Sequence, residues 1–479
     1  MTPFSSSELA LGLPEIYLTA AICVVLLFDL FIAGRNTGRT ATFTLAVLLV
    51  GAVLSWRQGI DARSVVFDGL YVADRVSALL KVCAFVFTAM ALFYSRNYLA
   101  RRGLMKGEYY VLTLSALLGV LVMASAPHLL SIYIGLELLS LSLYALVAFD
   151  RESGVAAEAA IKYFVLGALA SGVLLFGMSV LYGMTGTLEL AALSVKLGED
   201  PGLGYILAVA FVVVAIAFKF GAVPFHMWAP DVYQGAPTAS AMLVATVSKV
   251  GSFALAFRLM AEGMAGQTAE WGQMLGALAV LSVVAGNLIA VAQTSLTRLL
   301  AYSAIGNVGF VLFGFAAGTD AGYSAALFYT LAYVLTTLAA FAVILVASRE
   351  GCEADELEHY KGLHQRDPLL AGAMAVVMFS TAGVPPFVGF WAKLQVIEAL
   401  LGSGMLAYAI VAVVASVIGA FYYLRIVWLM YFEAPGEQPA MGQAGAVKAV
   451  LAINAVAVLA LGIFPGQLLA LCRYVIPGG

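Results

Sequence analysis

The chain has 479 residues, of which 63% are hydrophobic and only 11% are charged, and its mean hydropathy is +1.00. A soluble protein of this size could not cover its surface with so few charges, so the composition predicts a polytopic membrane protein. The net charge of −3 carries no information about partners. Four scattered cysteines, four isolated histidines and the lack of a phosphate-binding glycine motif argue against iron–sulfur, zinc or nucleotide chemistry in this chain.

Helices are the expected membrane-spanning element, because the sequence lacks the alternating strands of a barrel. The N-terminus lacks the features of a cleaved signal peptide, so we expect the first apolar run to be retained. With about 20 residues per crossing, we predict about 14 crossings, near residues 13–34, 40–56, 71–94, 109–125, 127–148, 155–182, 203–235, 238–260, 272–292, 299–317, 322–348, 369–402, 404–432 and 445–471.

Two connections between crossings have recognisable patterns. The stretch SVVFDGLYV places Asp68 and Gly69 between two short apolar runs, which predicts a small β-hairpin. Residues 349–368 form the most polar segment of the chain, which we interpret as a solvated connector between two halves.

Lysine and arginine residues are distributed unequally between the two sets of loops, which predicts the orientation of the chain. One set holds twelve of them: Arg35, Arg39, Arg96, Arg101, Arg102, Lys106, Arg151, Arg298, Arg349, Lys361, Arg366 and Lys448. The opposite set holds six: Arg57, Arg63, Arg75, Lys196, Arg258 and Arg473. The side with twelve should be cytoplasmic, and an even number of crossings then places both termini on the outer side.

The remaining six of the 24 basic residues lie inside predicted crossings: Lys81, Lys162, Lys219, Lys249, Lys393 and Arg425. An ionisable side chain at the bilayer centre costs about 2.5–3.5 kcal/mol on insertion scales. Snorkelling to the surface accounts for Asp29, Glu398 and Arg425. It does not account for Glu137 and Lys249, because each lies at the midpoint of its crossing, about 15 Å from either surface. We expect these two residues to pair inside the bundle or to line a water-filled path.

Three further charges have more than one interpretation. Glu158 and Lys162 are four residues apart and therefore share a helix face. They form either a simple ion pair near the cytoplasmic end or a pair that modulates a charge relay. Lys81 is central in its crossing and has no partner nearby in the sequence, so it is either a structural charge or part of such a relay.

An array of lysines and glutamates at mid-depth can hold and pass protons. Burial favours the neutral form of a lysine, and a neighbouring carboxylate favours the charged form. Several lysines in lipid without a cofactor have no other common chemical use. The array therefore predicts ion translocation rather than a purely structural role.

Two crossings contain helix-breaking sequences, GAVPF at 221–225 and GVPPF at 383–387. Both fit the pattern GxxPF, and each has a lysine close by, Lys219 and Lys393 respectively. Proline removes a helix hydrogen bond and clashes with the preceding turn, which is tolerated in lipid only where the freed carbonyls face protein or water. Interrupted helices in corresponding positions indicate a transport site, and two ordinary proline kinks are the alternative.

The two breaks fall in the seventh and twelfth predicted crossings. Because they are separated by five crossings, an odd number, the second copy of a repeat with this spacing must be inverted in the membrane. Lys219 precedes its break and Lys393 follows its own. Both lysines should therefore lie on the outer side of the break.

Four stretches, KFGAVPFHMWAPDVYQGAPT, SKVG, RLLAYSAIGNVGF and GVPPFVGFWAKL, resemble motifs of the antiporter-like membrane subunits of respiratory complex I. They occur in the expected order, and the resemblance covers residues 109–432. It implies an all-α fold of 14 helices with two inverted five-helix repeats, helices 4–8 and 9–13, in which helices 7 and 12 are broken. The implied division is 1–108 for helices 1–3, 109–262 for the first repeat, 263–432 for the second and 433–479 for the last helix.

The family has three similar types, L, M and N. The chain stops at Gly479 without the long lateral helix of type L, and type M typically has glutamate where Lys393 stands. The lysine, the stretch WAPDVYQGAP and the length resemble type N, a proton-translocating subunit of proton-pumping NADH–quinone oxidoreductase. The alternatives are a subunit of a multi-subunit sodium/proton antiporter, a membrane subunit of a membrane-bound hydrogenase, and a scaffold that only fills the membrane arm.

The resemblance also implies roles for single residues. Glu137 would pair with Lys219 and control its protonation, Lys249 would relay protons between two half-channels, and Lys393 would gate the second half-channel. The family often has a histidine where Asn307 stands, and an amide cannot take up a proton. The link between the central and second sites would then run through water or through tyrosines such as Tyr302 or Tyr422. The implied secondary positions are Glu158 and Lys162.

The resemblance assigns all redox chemistry to partner chains. NADH, FMN, iron–sulfur clusters and quinone would bind elsewhere, and this chain would hold no cofactor or metal. The implied partners are subunit M, subunit K, neighbouring small subunits and the lateral helix of subunit L, together with the lipid bilayer but no nucleic acid. The implied location is the bacterial inner membrane, with both termini periplasmic.

Overall fold

The long apolar segments form helices, because a helix satisfies its backbone hydrogen bonds within its own segment and hydrocarbon supplies no other partner. The computed structural model describes residues 5–33, 37–58, 63–197, 202–349, 353–435 and 445–476. The N-terminal part comprises α1 (Ser6–Leu11), α2 (Leu13–Phe28), a π-helical turn (Asp29–Ala33), α3 (Thr37–Arg57), β1 (Ser64–Val66), β2 (Tyr71–Ala73) and α4 (Arg75–Arg101).

Two sets of helices follow one another along the chain. The first set comprises α5 (Gly107–Ala124), α6 (Leu129–Val147), α7 (Gly154–Thr185), α8 (Leu190–Lys196), α9 (Gly202–Phe220), α10 (Trp228–Gly235), α11 (Thr238–Ala245), α12 (Val247–Ala256) and a π-helical segment (Phe257–Gly263). The second set comprises a 3-10 turn (Ala265–Gln267), α13 (Thr268–Val291), α14 (Leu296–Ala316), α15 (Asp320–Ala347), a 3-10 turn (Leu357–Tyr360), α16 (Leu363–Arg366), α17 (Pro368–Ala382), α18 (Val388–Gly402) and α19 (Leu406–Phe432). The last described helices are α20 (Gly445–Ile463) and α21 (Gly466–Val475).

The predicted class, an all-α polytopic membrane protein, is confirmed. Thirteen helices in the described part of the chain are long and apolar enough to cross a membrane, and they match 13 of the 14 predicted crossings. The remaining crossing, predicted at 369–402, consists of two shorter helices, α17 and α18. The break at 383–387 leaves each half too short to span by itself, which accounts for the difference.

The predicted hairpin is present as β1 and β2, which pair in an antiparallel arrangement. Phe67, Asp68 and Gly69 form the reversal with φ angles of 54°, 53° and 83°, the left-handed region that glycine and aspartate enter most readily. The backbone N–H of Val72 donates to the carbonyl of Ser125 at 2.9 Å, so the hairpin is tied to the end of α5.

The central crossings are buried on all sides, whereas the outer ones are not. In the membrane-spanning stretch of α14, 94% of the residues are buried, and in that of α15, 89% are buried. The corresponding shares are 22% for α2 and 33% for α20. A helix that is apolar all round and surrounded by other helices belongs to the core. The bundle therefore encloses α11, α12, α14 and α15 and leaves the apolar faces of the outer helices exposed.

The two sets of helices begin with the same close packing. A Cβ atom at Gly119 in α5 would lie 2.5 Å from the backbone N of Leu139 in α6, and one at Gly286 in α13 would lie 2.6 Å from the backbone N of Gly306 in α14. Small residues at such contacts let the backbones of membrane helices approach closely. The α5–α6 and α13–α14 pairs therefore have the same kind of interface.

Two isolated antiparallel bridges make the same connection in the two sets. His128 at the start of α6 pairs with Glu189, and Ser295 at the start of α14 pairs with Glu356. Each bridge joins the second helix of its set to the connection that leads to the broken helix. In the predicted orientation the first bridge lies on the outer side and the second on the cytoplasmic side. This opposition supports an inverted relation between the two sets.

Arg258, which the orientation count placed in a loop, is fully buried. Its guanidinium donates to both carboxylate oxygens of Asp74 (2.7 and 2.9 Å) and to Glu262 (2.5 Å). Burial would raise the pKa of the Asp74 carboxyl, but the bonds from Arg258 and from Ser77 hold that pKa below its usual range. Without Arg258, the set of loops predicted to be outer holds five basic residues, and the set predicted to be cytoplasmic still holds twelve. One of the twelve, Arg35, lies outside the described residues. The predicted orientation is therefore unchanged.

Asp74→Ala is expected to lower the free energy of unfolding by about 3–5 kcal/mol, because it leaves a buried guanidinium without its main partner. Denaturation of the purified protein in detergent measures this loss. Glu358→Gln, which breaks the exposed pair of Glu358 with Lys361, is the control and should change the value by less than about 1 kcal/mol. Equal effects of the two substitutions would contradict a structural role for Arg258.

Candidate functional site

Two helices are interrupted within the membrane at the predicted positions. The first break lies between α9 and α10, and the second lies between α17 and α18. Gly221 and Gly383 end the first half-helices with φ angles of +76° and +89°, a left-handed conformation that glycine adopts without strain. Each break contains a cis X-Pro peptide bond, at Pro224 and Pro386 respectively. Because each first half-helix ends at its break, the carbonyls of its last residues, Phe220 and Ala382, have no following helical turn to supply N–H partners and are available to other donors.

A buried lysine donates a hydrogen bond to one of these carbonyls at each break. The Nζ of Lys249 in α12 lies 2.8 Å from the carbonyl oxygen of Phe220, the last residue of α9. The Nζ of Lys393 in α18 lies 3.0 Å from the carbonyl oxygen of Ala382, the last residue of α17. The C-terminal end of a helix carries partial negative charge, which stabilises an ammonium group. At both breaks, therefore, a lysine ammonium group donates to the carbonyl at the C-terminal end of the first half-helix.

Lys219, in the last turn of α9, is buried and contacts α6. Its Nζ donates to Ser140 Oγ at 2.5 Å. Ser140 follows Glu137 by three residues and therefore lies about one helical turn from it. Among the described residues Lys219 has no ion-pair partner, and Glu137 Oε1 is buried without a hydrogen-bond partner. Glu137 is not within ion-pair distance of Lys219 but acts on its charge through space, so the pairing that the resemblance implied stays a prediction.

Small polar cavities lie beside two of the lysines. One, of about 10 Å³, is lined in part by Lys219, Ser140, Tyr163, Ser248 and Ser252. The other, also of about 10 Å³, is lined in part by Lys393, Asn307, Tyr329, Tyr333 and Thr336. A cavity of this size is close to the minimum that holds one water, and the hydroxyl groups supply hydrogen-bond partners for it. Both lysines therefore face a space that suits a bridging water.

Asn307 lies within a cluster of tyrosines. Its side-chain amide donates to Tyr423 OH at 3.3 Å, and its side-chain oxygen accepts from Tyr329 OH at 2.7 Å. Tyr422, one of the two tyrosines expected here, donates instead to an asparagine of α13 at 2.9 Å, although its ring lies 4.3 Å from that of Tyr423. Tyr302, the other, makes no side-chain hydrogen bond within the described ranges. Tyrosines do surround Asn307, but Tyr329 and Tyr423 are the ones that contact it.

Glu158 and Lys162 form the predicted pair within α7, with an N–O distance of 2.8 Å. Their side chains are 67% and 45% exposed, so they lie apart from the buried lysines. Lys162 also contacts Asp231 in α10 at 2.8 Å, and Asp231 contacts Arg298 at 3.1 Å. Sequence reasoning missed this connection: Asp231 stands in the motif WAPDVYQGAP, and Arg298 was counted only as a loop charge.

Lys81 is fully buried and has two partners that are distant in the sequence. Its Nζ lies 2.7 Å from Glu15 in α2 and 2.7 Å from Tyr71 OH in β2. A carboxylate in contact neutralises the buried charge, and breaking such a pair is costly. We interpret Lys81 as a structural residue that ties α4 to α2 and to the hairpin.

The three charges attributed to snorkelling have exposed or polar surroundings. Glu398 is exposed. Asp29 accepts a hydrogen bond from Thr40 Oγ1 at 2.6 Å, and Arg425 donates to the carbonyl of Val291, the last residue of α13, at 3.3 Å. None of the three belongs to the buried array.

Among the residues that the structure describes, no group of three or more His, Cys, Asp or Glu side chains is arranged to hold a metal ion. The described cysteines, Cys23, Cys83 and Cys472, are free, and Cys352 lies outside the described residues. The groups that the site does present are amines, one carboxylate and several hydroxyls. These groups can accept, hold and release protons.

The fold is shared with membrane subunits of respiratory and antiporter complexes. A family model described as NADH:quinone oxidoreductase/Mrp antiporter, TM, matches residues 126–419, more than half of the chain. A chain in the structure of respiratory complex I from Thermus thermophilus with bound aureothin is 34% identical, with a TM-score of 0.83 over 96% of this chain and 99% of that chain. A chain of the Mrp complex from Dietzia sp. DQ12-45-1b is 25% identical, with a TM-score of 0.87 over 98% of this chain and 97% of that chain.

The broken helices and buried lysines, together with these similarities, define the class as antiporter-like membrane subunits. NADH-quinone oxidoreductase subunit N of Nitrosomonas europaea is 50% identical over 463 residues, which are 96% of this chain and 96% of that protein. The same subunit of Halorhodospira halophila is 48% identical over 478 residues, which are 98% of this chain and 99% of that protein. The chain belongs to the NADH-quinone oxidoreductase subunit N family.

Proposed function

We propose that this chain is the N-type proton-translocating membrane subunit of a proton-pumping NADH–quinone oxidoreductase, and that its buried charged residues carry the protons. The similarity to subunit N of other bacteria over nearly the whole length supports its place in that complex. The chain is then an enzyme subunit that moves protons while partner chains perform the redox reaction.

The contacts at the two breaks are the observation that carries this proposal. Lys249 and Lys393 are 3% and 9% exposed, and each donates to the end of a half-helix. Neither has a carboxylate partner among the described residues, in contrast to the buried Lys81 and Arg258. Desolvation without a counter-charge favours the neutral form of an amine, and a half-helix end favours the charged form. A lysine held between these opposing effects is suited to taking up and releasing a proton.

Two serines of α12 lie beside Lys219 and near Lys249 in the sequence. Ser252 Oγ donates to the carbonyl of Lys219 at 3.3 Å, and Ser248 and Ser252 line the cavity beside the Lys219 side chain. Both serines are close to Lys249 in the sequence of α12. Hydroxyl groups with a bridging water between them form the kind of chain along which a proton can move. The proposed carriers, in order, are Glu137, Lys219, Lys249 and Lys393, with Glu158 and Lys162 as secondary residues.

The link from Lys249 to Lys393 has no titratable histidine, because Asn307 stands in its place. We propose that the protons pass the Asn307 cluster through Tyr329, Tyr423 and water. The cavity that Asn307 and Lys393 share supports this route. An amide can orient a water by donating one hydrogen bond and accepting another, although it does not itself change charge.

The proposed organisation follows the inverted repeat. Residues 109–262 form the first repeat and residues 263–432 the second, flanked by residues 1–108 and 433–479. The matching glycine contacts and the two bridges on opposite sides support this division. An inverted repeat places equivalent half-channels on opposite membrane faces, as alternating access between the two sides requires.

The proposed setting is the bacterial inner membrane, with both termini periplasmic. The finer proposals for partners are subunit M, subunit K, the neighbouring small subunits and the lateral helix of subunit L. NADH, FMN, iron–sulfur clusters and quinone then bind to other chains of the complex. The excess of basic residues in one set of loops supports this orientation.

Proton uptake into sealed vesicles that contain the intact complex tests the proposal. Lys249→Ala and Lys393→Ala should each lower NADH-driven proton uptake several-fold, because each removes an amine from the pathway. Lys361→Ala is the matched control, since Lys361 is a partly exposed loop residue paired with Glu358 and Glu433. Unchanged uptake in both pathway variants would overturn the assignment. Uptake that depends on sodium rather than on NADH would favour the antiporter alternative.

A further inference from the structure

Five polar side chains form a continuous series of contacts around α10. We refer to this group as the polar clasp: Lys162, Asp231, Gln234, Arg298 and Asp355. Asp231 accepts hydrogen bonds from Lys162 Nζ at 2.8 Å and from Arg298 Nη1 at 3.1 Å. Gln234 accepts from Arg298 at 3.1 Å and donates to Asp355 at 3.0 Å. Asp355 also accepts from hydroxyl and backbone groups in the first turn of α14.

The polar clasp joins the two sets of helices through a short element. Lys162 lies in α7 of the first set, and Arg298 lies in α14 of the second. Asp231 and Gln234 lie between them on α10, the second half of the first broken helix. Because α10 has only eight residues and is separated from α9 by the break, its position depends on contacts with its neighbours.

The same half-helix contacts the central lysine. Trp228 lies three residues, or about one turn, before Asp231. Its ring stacks on that of Tyr163, with centroids 4.5 Å apart, and Lys249 Nζ lies 5.6 Å from the Trp228 ring centroid. Trp228 Nε1 also donates to the carbonyl of Phe218 at 3.1 Å, close to the end of α9. A displacement of α10 would therefore change the distance between the Trp228 ring and Lys249. Cation–π attraction to this ring stabilises the charged form of the Lys249 amine.

The other end of the polar clasp reaches the second half of the chain. Arg298 and Asn307 lie on the same helix, α14, nine residues apart. The polar clasp thus connects the half-helix beside Lys249 to the helix that holds the Asn307 cluster. This path consists of side chains in contact and of one continuous helix, a contiguous network of the kind that can couple two sites.

We propose that Asp231 is a positioning residue for proton transfer: by accepting from both Lys162 and Arg298, it holds α10 and Trp228 against Lys249 and ties this arrangement to the second repeat. This inference rests on the proposed function of Lys249 as a proton carrier. The proposal also assigns a role to Lys162, because Lys162 is connected to the buried lysines through Asp231 and α10.

Exposure separates this role from simple stabilisation. The side chains of Lys162, Asp231 and Arg298 are 45%, 31% and 31% exposed. Ion pairs between partly exposed side chains near the ends of helices typically contribute less than about 1 kcal/mol to stability. A substitution at Asp231 should therefore leave the protein folded and assembled and change the transfer of protons.

The test measures protons taken up per NADH oxidised by the intact complex in sealed vesicles. Asp231→Asn is expected to lower this ratio at least about twofold, with an unchanged amount of assembled complex. Asp231→Glu keeps the charge and should restore most of the ratio. Arg298→Gln should resemble Asp231→Asn, and the double variant should lose no more than either single variant, because both remove one shared interaction.

Glu358→Gln is the control, because it breaks an exposed ion pair far from α10 in the sequence. An unchanged ratio for Asp231→Asn, or additive losses in the double variant, would overturn the proposal. If Asp231→Asn fails to assemble, Lys162→Gln and Arg298→Gln remove the same contacts from the other side, and an unchanged ratio in both would then refute it.

Lys249→Ala in the same vesicles separates this inference from the proposed function. A loss with Lys249→Ala but not with Asp231→Asn refutes the role of the polar clasp alone. No loss with Lys249→Ala refutes the proposed function itself.

Discussion

NADH-driven proton uptake is expected to fall at least about tenfold when Lys219 is replaced by alanine, since a positioned proton-transfer group typically contributes that much or more. The variant removes the amine that contacts Ser140 and lines the first cavity. Glu137→Ala should have a comparable effect, because it removes the carboxylate that lies one turn from Ser140. Both complexes should still assemble. Acidification of sealed vesicles after addition of NADH is the measurement.

Further substitutions at Lys219 separate loss of the proton carrier from damage to packing. Lys219→Arg keeps the positive charge, but a guanidinium does not lose its proton in proteins. The Lys219→Arg variant should therefore be as inactive in proton uptake as Lys219→Ala. Lys219→Met fills the space with an uncharged chain and should be inactive as well. Full proton uptake in both Lys219→Ala and Glu137→Ala would refute these residues as carriers.

Gly383→Ala is expected to impair proton uptake more than Gly221→Ala does. A Cβ at Gly383 would lie 3.0 Å from Cδ of Lys393 and 3.4 Å from its Nζ, so the side chain would have to shift by a few tenths of an ångström beside the Ala382 carbonyl. A Cβ at Gly221 would meet its nearest atom, on Trp228, only at 3.6 Å, which is ordinary contact. Both positions have a left-handed backbone, which costs a non-glycine residue about 1–2 kcal/mol.

The two glycine variants are matched because they share the backbone strain and differ in the crowding of a lysine. Proton uptake and thermal stability in detergent should be measured for both. We expect similar losses of stability and a larger loss of uptake in Gly383→Ala. Equal uptake in the two variants would indicate that the position of Lys393 against the half-helix does not matter for transfer.

The overall fold by itself does not separate a respiratory subunit from an antiporter subunit. The chain superimposes on a chain of an Mrp complex with a TM-score of 0.87 and on a chain of respiratory complex I with 0.83. Both have the same scaffold, and function depends on the residues placed on it and on the partners. The identity of 50% with subunit N along nearly the whole chain is therefore the finding that identifies the family.

The sequence by itself determined the membrane class, the approximate crossings, the two breaks and the identity of the buried lysines. These features are local: a run of apolar residues spans the bilayer, a Gly-x-x-Pro pattern interrupts a helix, and a lysine at the midpoint of a crossing lies too deep to reach the membrane surface. The hairpin at Asp68 and Gly69 could also be predicted, because turn geometry depends on adjacent residues. The interrupted crossing at 369–402 was found from its composition, although neither half is long enough alone.

Only the tertiary structure decided which groups these residues meet. Lys219 contacts Ser140 rather than Glu137, and Lys81 contacts Glu15 from a helix 66 residues earlier. The acceptors for Lys249 and Lys393 are backbone carbonyls, which every residue has and no sequence pattern marks. The polar clasp at Asp231 likewise joins helices that are distant in the chain. A residue's depth in the bilayer follows from its own helix, but its partners depend on how separate helices pack and rotate against one another.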